Sequence, residues 1–434
     1  MNWRTPGGFM FGAGEASGHG GKAARWLHIA LLGTAFAGWL IFILACVGGP
    51  AWSPDGSQIL FAYRDVENAR ASVALYDRNR NTVRAVFAQP IEDDKDEVFV
   101  HPRWQMDGKR ALIALFSGTP DGSENGCALI SIPIKTKIPL QLYNLGKTAG
   151  CVYAYPQIGD IVYFAEKDLR SVDLKSGEVK SEKFKVGGQD SPEEEVVLSE
   201  SKHDLRYQRM VRRPKKTGDP QPSDEYGQEV GIVQLSDTSL KASFTFWESD
   251  LPALGLESSA SDLSPIAMAP NEATGAMIAT KNGKESDRIL LTEESRGIVR
   301  VLSPDLGRGR YCLGNLVWSL DGSTLYASVL TKGESKEVSN YWLAEIPVDS
   351  GKARMTMISA IQHEMADDFG GDFMDTFRFS MDVALSPDGR WIAATPAVLG
   401  KKELNPRDRA LFLVDLRDPG RKMKRVPVPH EAAE

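Results

Sequence analysis

The chain has 434 residues, 42% of them hydrophobic and 25% charged, with a formal net charge of −7, enough for two or three small domains or one large repeat array. Beyond residue 50 it carries 48 basic against 57 acidic side chains and no basic stripe, which excludes a nucleic-acid surface, because phosphate neutralisation needs clustered Lys and Arg. Four cysteines, none in C-x-x-C spacing, exclude a disulfide-dense scaffold, a zinc ribbon and a thioredoxin-like redox site, while 40 Gly and 24 Pro favour many short strands over long helices.

The Gly-rich residues 1–25 read as a mobile cytoplasmic segment. Residues 26–47, WLHIALLGTAFAGWLIFILACV, hold only His28 as an ionisable side chain. A helix of that length rises roughly 33 Å at about 1.5 Å per residue, enough to span a bilayer. Lys22 and Arg25 precede the run and little positive charge follows it, so the positive-inside bias leaves Met1 in the cytoplasm and the body outside it. The expectation is a single-pass inner-membrane protein with a periplasmic body. A cleaved signal would have a shorter apolar core; Ile43-Leu44-Ala45-Cys46 resembles a lipobox and keeps lipidation at Cys46 open.

After a tether of Gly48, Gly49, Pro50 and Ala51, a peptide appears that then recurs. WSPDGSQILF starts at Trp52, WQMDGKRALI at Trp104, WSLDGSTLYA at Trp318 and LSPDGRWIAA at Leu385, with weaker copies YPQIGDIVYF at Tyr155, LSESKHDLRY at Leu198 and MAPNEATGAMIA at Met268. The intervals are 52, 51, 43, 70, 50 and 67 residues, close to the length of one four-stranded propeller blade. Every copy is followed by further short apolar runs closed by Asp, Gly, Ser or Asn, such as SVALYD, CALISIPI and ALFLVDLRDPG, the pattern of strand and hairpin turn. In the motif, Pro54 and Pro387 preset a turn φ, Asp55, Asp107, Asp321 and Asp388 bond nearby backbone, and Gly56, Gly108, Gly322 and Gly389 supply a positive φ. Trp52, Trp104 and Trp318 are expected to wedge between neighbouring sheets. The predicted fold is all-β: a seven-bladed β-propeller over residues 51–428, a single transmembrane helix before it and a tail at 429–434.

Other stretches interrupt the repeats. DGSENG at 121–126 resembles half of a calcium loop, but Ile132 stands where its closing carboxylate belongs, and a polar hairpin is the competing reading. Acidic clusters at 91–97, 191–195 and 367–375 read as solvated loops. The basic run Arg212, Arg213, Lys215 and Lys216 should sit on a protruding hairpin, either solvated or against lipid headgroups or an acidic partner. Ile361, Met365, Phe369, Phe373 and Phe377 recur every four residues, as on a helical face that packs on the propeller or on a partner. Cys127 and Cys151 either pair or stay free and buried.

The W-S-P-D-G copies and their hairpins resemble the TolB-type β-propeller repeat of bacterial envelope proteins, found also in the propellers of prolyl oligopeptidase-like peptidases. The resemblance implies the fold and an envelope setting, although TolB-type proteins are soluble, with a separate domain before six blades. No G-x-S-x-G, H-E-x-x-H, Walker or Rossmann pattern occurs. We therefore expect no catalytic, metal or cofactor site, and a non-enzymatic, membrane-anchored scaffolding subunit with integral membrane proteins as partners. The alternatives are an enzyme or ligand receptor with its site in the propeller channel, and a TolB-like partner of envelope lipoproteins.

Overall fold

The computed structural model describes residues 49–65, 68, 70–90, 97–118, 126–134, 140–147, 155–186, 189–190, 196–199, 204–214, 224–256, 263–279, 287–307, 311–332, 338–362, 381–396 and 410–429. The chain divides into two compact units, Met1–Ile41 and Phe42–Glu434. Residues 1–48, with the apolar run at 26–47, lie outside the described residues. Among the described residues no helix is long and apolar enough to cross a membrane.

Among the described residues the second unit holds seven sheets, each taken from one continuous stretch of chain and antiparallel throughout, except that Lys185–Val186 runs parallel to Ser239–Trp247. Blade 1 is Ala51–Trp52, Gln58–Asp65, Arg70–Asp77 and Thr82–Pro90; blade 2 is Glu97–Trp104, Arg110–Gly118, Gly126–Pro133 and Gln141–Lys147. Blade 3 runs Gln157–Ile158, Ile161–Ala165, Asp168–Asp173 and Val179–Lys183. Blade 4 has Val196–Ser199, Leu205–Pro214, Asp224–Gln234 and Ser239–Trp247, with Lys185–Val186 and Gln189–Asp190 added outside the last of these. Blade 5 is Ala267–Met268, Thr274–Ala279, Arg288–Glu293 and Gly297–Leu302; blade 6 is Tyr311–Trp318, Thr324–Lys332, Val338–Pro347 and Arg354–Gln362; blade 7 is Met381–Leu385, Trp391–Pro396, Ala410–Asp415 and Met423–Pro427.

The third strands of blades 1 and 7 are covered on both sides, and their sequences show it. Arg70–Asp77 buries six consecutive residues and all six of Ala410–Asp415 are buried, whereas the outermost Val179–Lys183 is exposed throughout. Alternate side chains serve opposite seams: Ile59, Phe61 and Tyr63 pack with Ala393, Leu411 and Leu413 of blade 7, while Leu60 packs with Ile113 and Ile130 of blade 2. The buried apolar residues accordingly fall into clusters that each join two neighbouring blades, 1 with 2, 2 with 3, and so on to 7 with 1. The ring is therefore closed.

It closes without exchanging a strand. Ala51–Trp52 is the innermost strand of blade 1 and pairs only with Gln58–Asp65, and Met423–Pro427 is the outermost strand of blade 7. The C-terminal KRVPVP segment contributes side chains instead: Val426 and Val428 enter the seam cluster, and Lys424 Nζ donates to Tyr76 Oη at 2.7 Å.

The tryptophans act as rivets between blades. Trp104 Nε1 donates to the Ala51 carbonyl at 3.0 Å, Trp318 Nε1 to Ala267 at 2.9 Å and Trp52 Nε1 to Ala384 at 3.1 Å. In each case the acceptor belongs to the innermost strand of the preceding blade. Tyr155, which stands in this position in blade 3, donates its hydroxyl to the His101 carbonyl of blade 2 at 2.6 Å. Replacing Trp104 by Phe keeps most of the apolar area but leaves a partly buried carbonyl without this donor. It is expected to cost about 1–2 kcal/mol, with Trp104→Ala costing about 3–5 kcal/mol, read as lowered midpoints in urea unfolding.

Candidate interaction face

The innermost strands all run the same way, so the propeller has two unlike ends. Residue 49 leads into blade 1 at one end; at the other, among the described residues, the innermost strands turn back through the repeat motif. In blade 1, Ser53 Oγ donates to Asp55 Oδ1 at 2.6 Å, the same carboxylate oxygen accepts from the Ser57 amide at 3.0 Å, and Ser53 Oγ accepts from the Gln58 amide at 2.9 Å. Blade 6 repeats this through Asp321 at 2.6, 3.0 and 2.9 Å, and blade 7 through Asp388 at 2.5, 3.2 and 2.8 Å. Gly56, Gly108, Gly322 and Gly389 take φ between 65° and 71°, while blade 5 places Glu272 there at 57° beside Asn271, whose Oδ1 accepts the Ala273 amide. The motif carboxylates are thus turn residues, already hydrogen-bonded.

The turns also touch one another. A Cβ added at Gly56 would sit 3.6 Å from Pro387 Cδ of blade 7; at Gly108, 3.3 Å from Pro54 Cδ of blade 1; at Gly389, 2.9 Å from Leu320 Cδ1 of blade 6; and at Gly322, 4.0 Å from Pro270 Cδ of blade 5. The Met106 amide of blade 2 donates to Gln157 Oε1 of blade 3 at 3.3 Å. From blade 5 through 6, 7, 1 and 2 to blade 3, the corners form one continuous crown. The third motif position is its outer surface: Pro54, Pro270 and Pro387 are exposed, and Met106 and Leu320 stand in the same place at 54% and 55% exposure.

Carboxylates alternate with these apolar tips. Hydrogen bonds from the Ser319 side chain and the Ser323 backbone hold Asp321 down at about 2. Asp388 is also lowered: partial burial opposes ionisation, but the Ser386 hydroxyl and Arg390 amide outweigh it. A carboxylate whose folded pKa is depressed stabilises the fold above its unfolded pKa and loses that contribution as pH falls through the folded value. Wild type should therefore exceed Asp321→Asn in thermal midpoint above about pH 4, and the difference should shrink toward zero between there and about pH 2.

The opposite end carries the residue 49 lead-in. A Cβ on Gly49 would lie 2.8 Å from Asp382 Cβ of blade 7, so the lead-in is seated against the innermost strand before the blade begins. Asp382 is half-buried and pushed up to about 7 by burial. Beside it, Asn315 of blade 6 clamps the Val383 backbone, accepting from its amide at 3.0 Å and donating to its carbonyl at 3.1 Å.

At this end the blade 4 hairpin separates residues that the sequence groups together. Arg212 is exposed, 3.9 Å from Asp224, as a surface basic run should be. Arg213 is committed internally: its Nε lies 2.8 Å from Glu225 Oε2 and its guanidinium 4.0 Å from the Trp247 ring centroid. That Arg213 bond, with a further one from Ser249, takes Glu225 down to about 2. Strand alternation puts the two arginines on opposite faces, which a charge count along the sequence overlooks. Lys215, Lys216, Phe369, Phe373 and Phe377 lie outside the described residues, as do residues 121–125 of the calcium-like stretch. Ile361 belongs to the strand Arg354–Gln362, paired with Ser339, not to a helical face. Cys127 is a free, buried thiol raised to about 12 by burial, and Cys312 is also buried. Among the described residues no group of three or more His, Cys, Asp or Glu side chains is placed to hold a metal ion.

No protein-family model matches the chain, and no curated protein does. Among solved structures it is similar to an oligogalacturonate lyase in complex with manganese (13% identity, 88% of this chain and 76% of that one, TM-score 0.39). It is also similar to Hsv2 of Kluyveromyces lactis (11%, 88% and 99%, TM-score 0.42) and to the WD40 β-propeller domain of Doa1 (12%, 81% and 89%, TM-score 0.42). These proteins include an enzyme and a WD40 domain, and at such identities they carry no activity over to this chain; the propeller rests on the sheets and seams described above.

Removing Arg213 leaves a buried carboxylate without its charge partner, so Arg213→Ala should cost about 1–3 kcal/mol, whereas Arg212→Ala should stay within about 0.5 kcal/mol. Paired urea unfolding curves measure both.

Proposed function

We propose that the protein is a non-catalytic propeller anchored in the inner membrane by residues 26–47, with a cytoplasmic N-terminus and a periplasmic body of TolB type. In this reading it serves as a scaffolding subunit among integral membrane proteins. The observation that supports it is the tether. The apolar run ends at Val47, Gly48 follows, and Gly49 already packs against Asp382. With under about 4 Å of chain per residue, a helix ending at Val47 leaves the propeller almost no freedom to leave the bilayer. Such a body meets partners that share its membrane, and cannot search the periplasm for soluble ones.

The test is extraction from native membranes. The protein should resist carbonate washing, be released by mild detergent, and migrate on native gels well above its own 47.6 kDa together with integral membrane proteins. Release by carbonate, or migration as an isolated chain, contradicts the reading.

A further inference from the structure

Carboxylates within the blades are partnered: Glu225 by Arg213, Glu229 by Arg209 and Tyr207, and Asp415 by Arg390. Asp382 differs. Among the described residues no hydrogen-bond donor and no cation reaches it, and burial alone raises it, so ionising it where it stands is costly. What it touches is the lead-in: a Cβ on Gly49 would lie 2.8 Å from its Cβ and 3.5 Å from its Oδ2.

The lead-in is held there by packing. Pro50 is buried and has no N–H to donate, and among the described residues Gly49 makes no hydrogen bond. One residue later the chain is fixed. Ala51 pairs with Leu60 and its carbonyl accepts the Trp104 indole, while Trp52 pairs with Ile59 and donates to Ala384. Gly49 gives the backbone freedom to swing just ahead of that fixed point.

The elements packed on Met381–Leu385 bring no compensating charge to Asp382. Its partner strand within blade 7, Trp391–Pro396, sets Thr395 opposite it and has no ionisable residue, and neither do Gly49, Pro50 and Ala51–Trp52. From blade 1, Tyr63 enters the same seam, bonded to Ser72, and Asp65 ends that strand holding Asn68. From blade 6, Cys312, Tyr326 and Tyr341 pack with Val383, on the other face of the strand.

We propose that Gly49 and Pro50 form a latch that closes on the neutral side chain of Asp382, and that ionisation of this carboxylate opens it while Ala51 and Trp52 stay in blade 1. With the latch open, water reaches the carboxylate and it titrates near the ordinary value of about 4; closed, it titrates at about 7. A group raised in the closed state favours closure in full below the open-state value. That preference falls about tenfold per pH unit as pH rises toward the closed-state value, and is lost above it. Opening frees under about 8 Å of chain, at under about 4 Å per residue, so it adjusts the reach of the tether without loosening the ring.

The experiment uses the full chain in mild detergent and follows N-ethylmaleimide modification of the thiol in Pro50→Cys by peptide mass spectrometry. The rate in the folded chain is divided by the rate in urea at the same pH, which cancels the thiol's own ionisation. Between about pH 5.5 and about pH 7.5 this ratio is expected to rise at least tenfold with Asp382 present, and to stay flat in the Asp382→Asn and Asp382→Ser backgrounds. Gly49→Ala, whose added methyl meets Asp382, is expected to keep the ratio high at both pH values. The buried Cys127 thiol, read in the same digests, should stay protected throughout, which separates opening from unfolding. A flat ratio with Asp382 present, a step that survives both substitutions, Gly49→Ala behaving as wild type, or parallel loss of Cys127 protection overturns the latch. None of these outcomes depends on what precedes residue 49: a chain that runs by itself on native gels overturns the scaffold and leaves the latch standing.

Discussion

Everything in this propeller depends on the seam between adjacent blades. A single four-stranded sheet here has apolar side chains on both faces and cannot hide either alone. Stacking seven of them side by side gives each face a partner, and the seventh must meet the first for the last two faces to be covered. The seam between blades 7 and 1 is therefore the critical one, and no shared strand holds it. Its bonds are side-chain bonds: the Trp52 indole to Ala384, Lys424 to Tyr76, and the Arg78 guanidinium 5.8 Å from the ring centroids of both Trp52 and Trp391.

The same constraint accounts for where polarity appears. Blade 4 has no tryptophan at the rivet position, and its seams carry buried polar groups instead. Arg209 and Tyr207 both bond Glu229 Oε1 at 2.7 Å, and Gln208 takes the Ile266 amide at 2.9 Å and reaches the Ser264 carbonyl at 3.3 Å. Such networks are directional, so they fix which blade abuts which at a cost in desolvation that an apolar seam would not carry. Sequence copies that look degenerate are thus blades whose seam is made by other means.

Much of the fold was legible because the corner chemistry is local. Ser53, Asp55 and Gly56 satisfy one another within a few residues, so the peptide looks alike wherever it recurs, and the copies at Trp52, Trp104, Trp318 and Leu385 each mark a first strand. The weak copies were legible through position and strand pattern: Tyr155 keeps the inter-blade bond with a hydroxyl in place of an indole. Closure was not legible, because the residues that make it, Arg78, Trp391 and Lys424, meet only in the folded ring. Nor was the crown, which exists through contacts between turns some fifty or more residues apart, although Met106 and Leu320 in a proline position were a visible hint. The split of Arg212 from Arg213 was readable from strand alternation once the hairpin was placed. Ile361, which opens the aromatic stripe, sits in a strand, because a period of four over a few residues does not by itself separate a helix from a strand end.

The most direct test of closure is proximity across the last seam. Asn81 and Lys424 are 343 residues apart in sequence, and their side chains are in hydrogen-bond contact across it. With cysteines at both positions, a short bis-maleimide should join them within one chain in high yield, detected as a cyclised species with altered gel mobility, and urea should abolish the reaction. Absence of that intramolecular product in the folded protein would contradict a closed ring of seven blades.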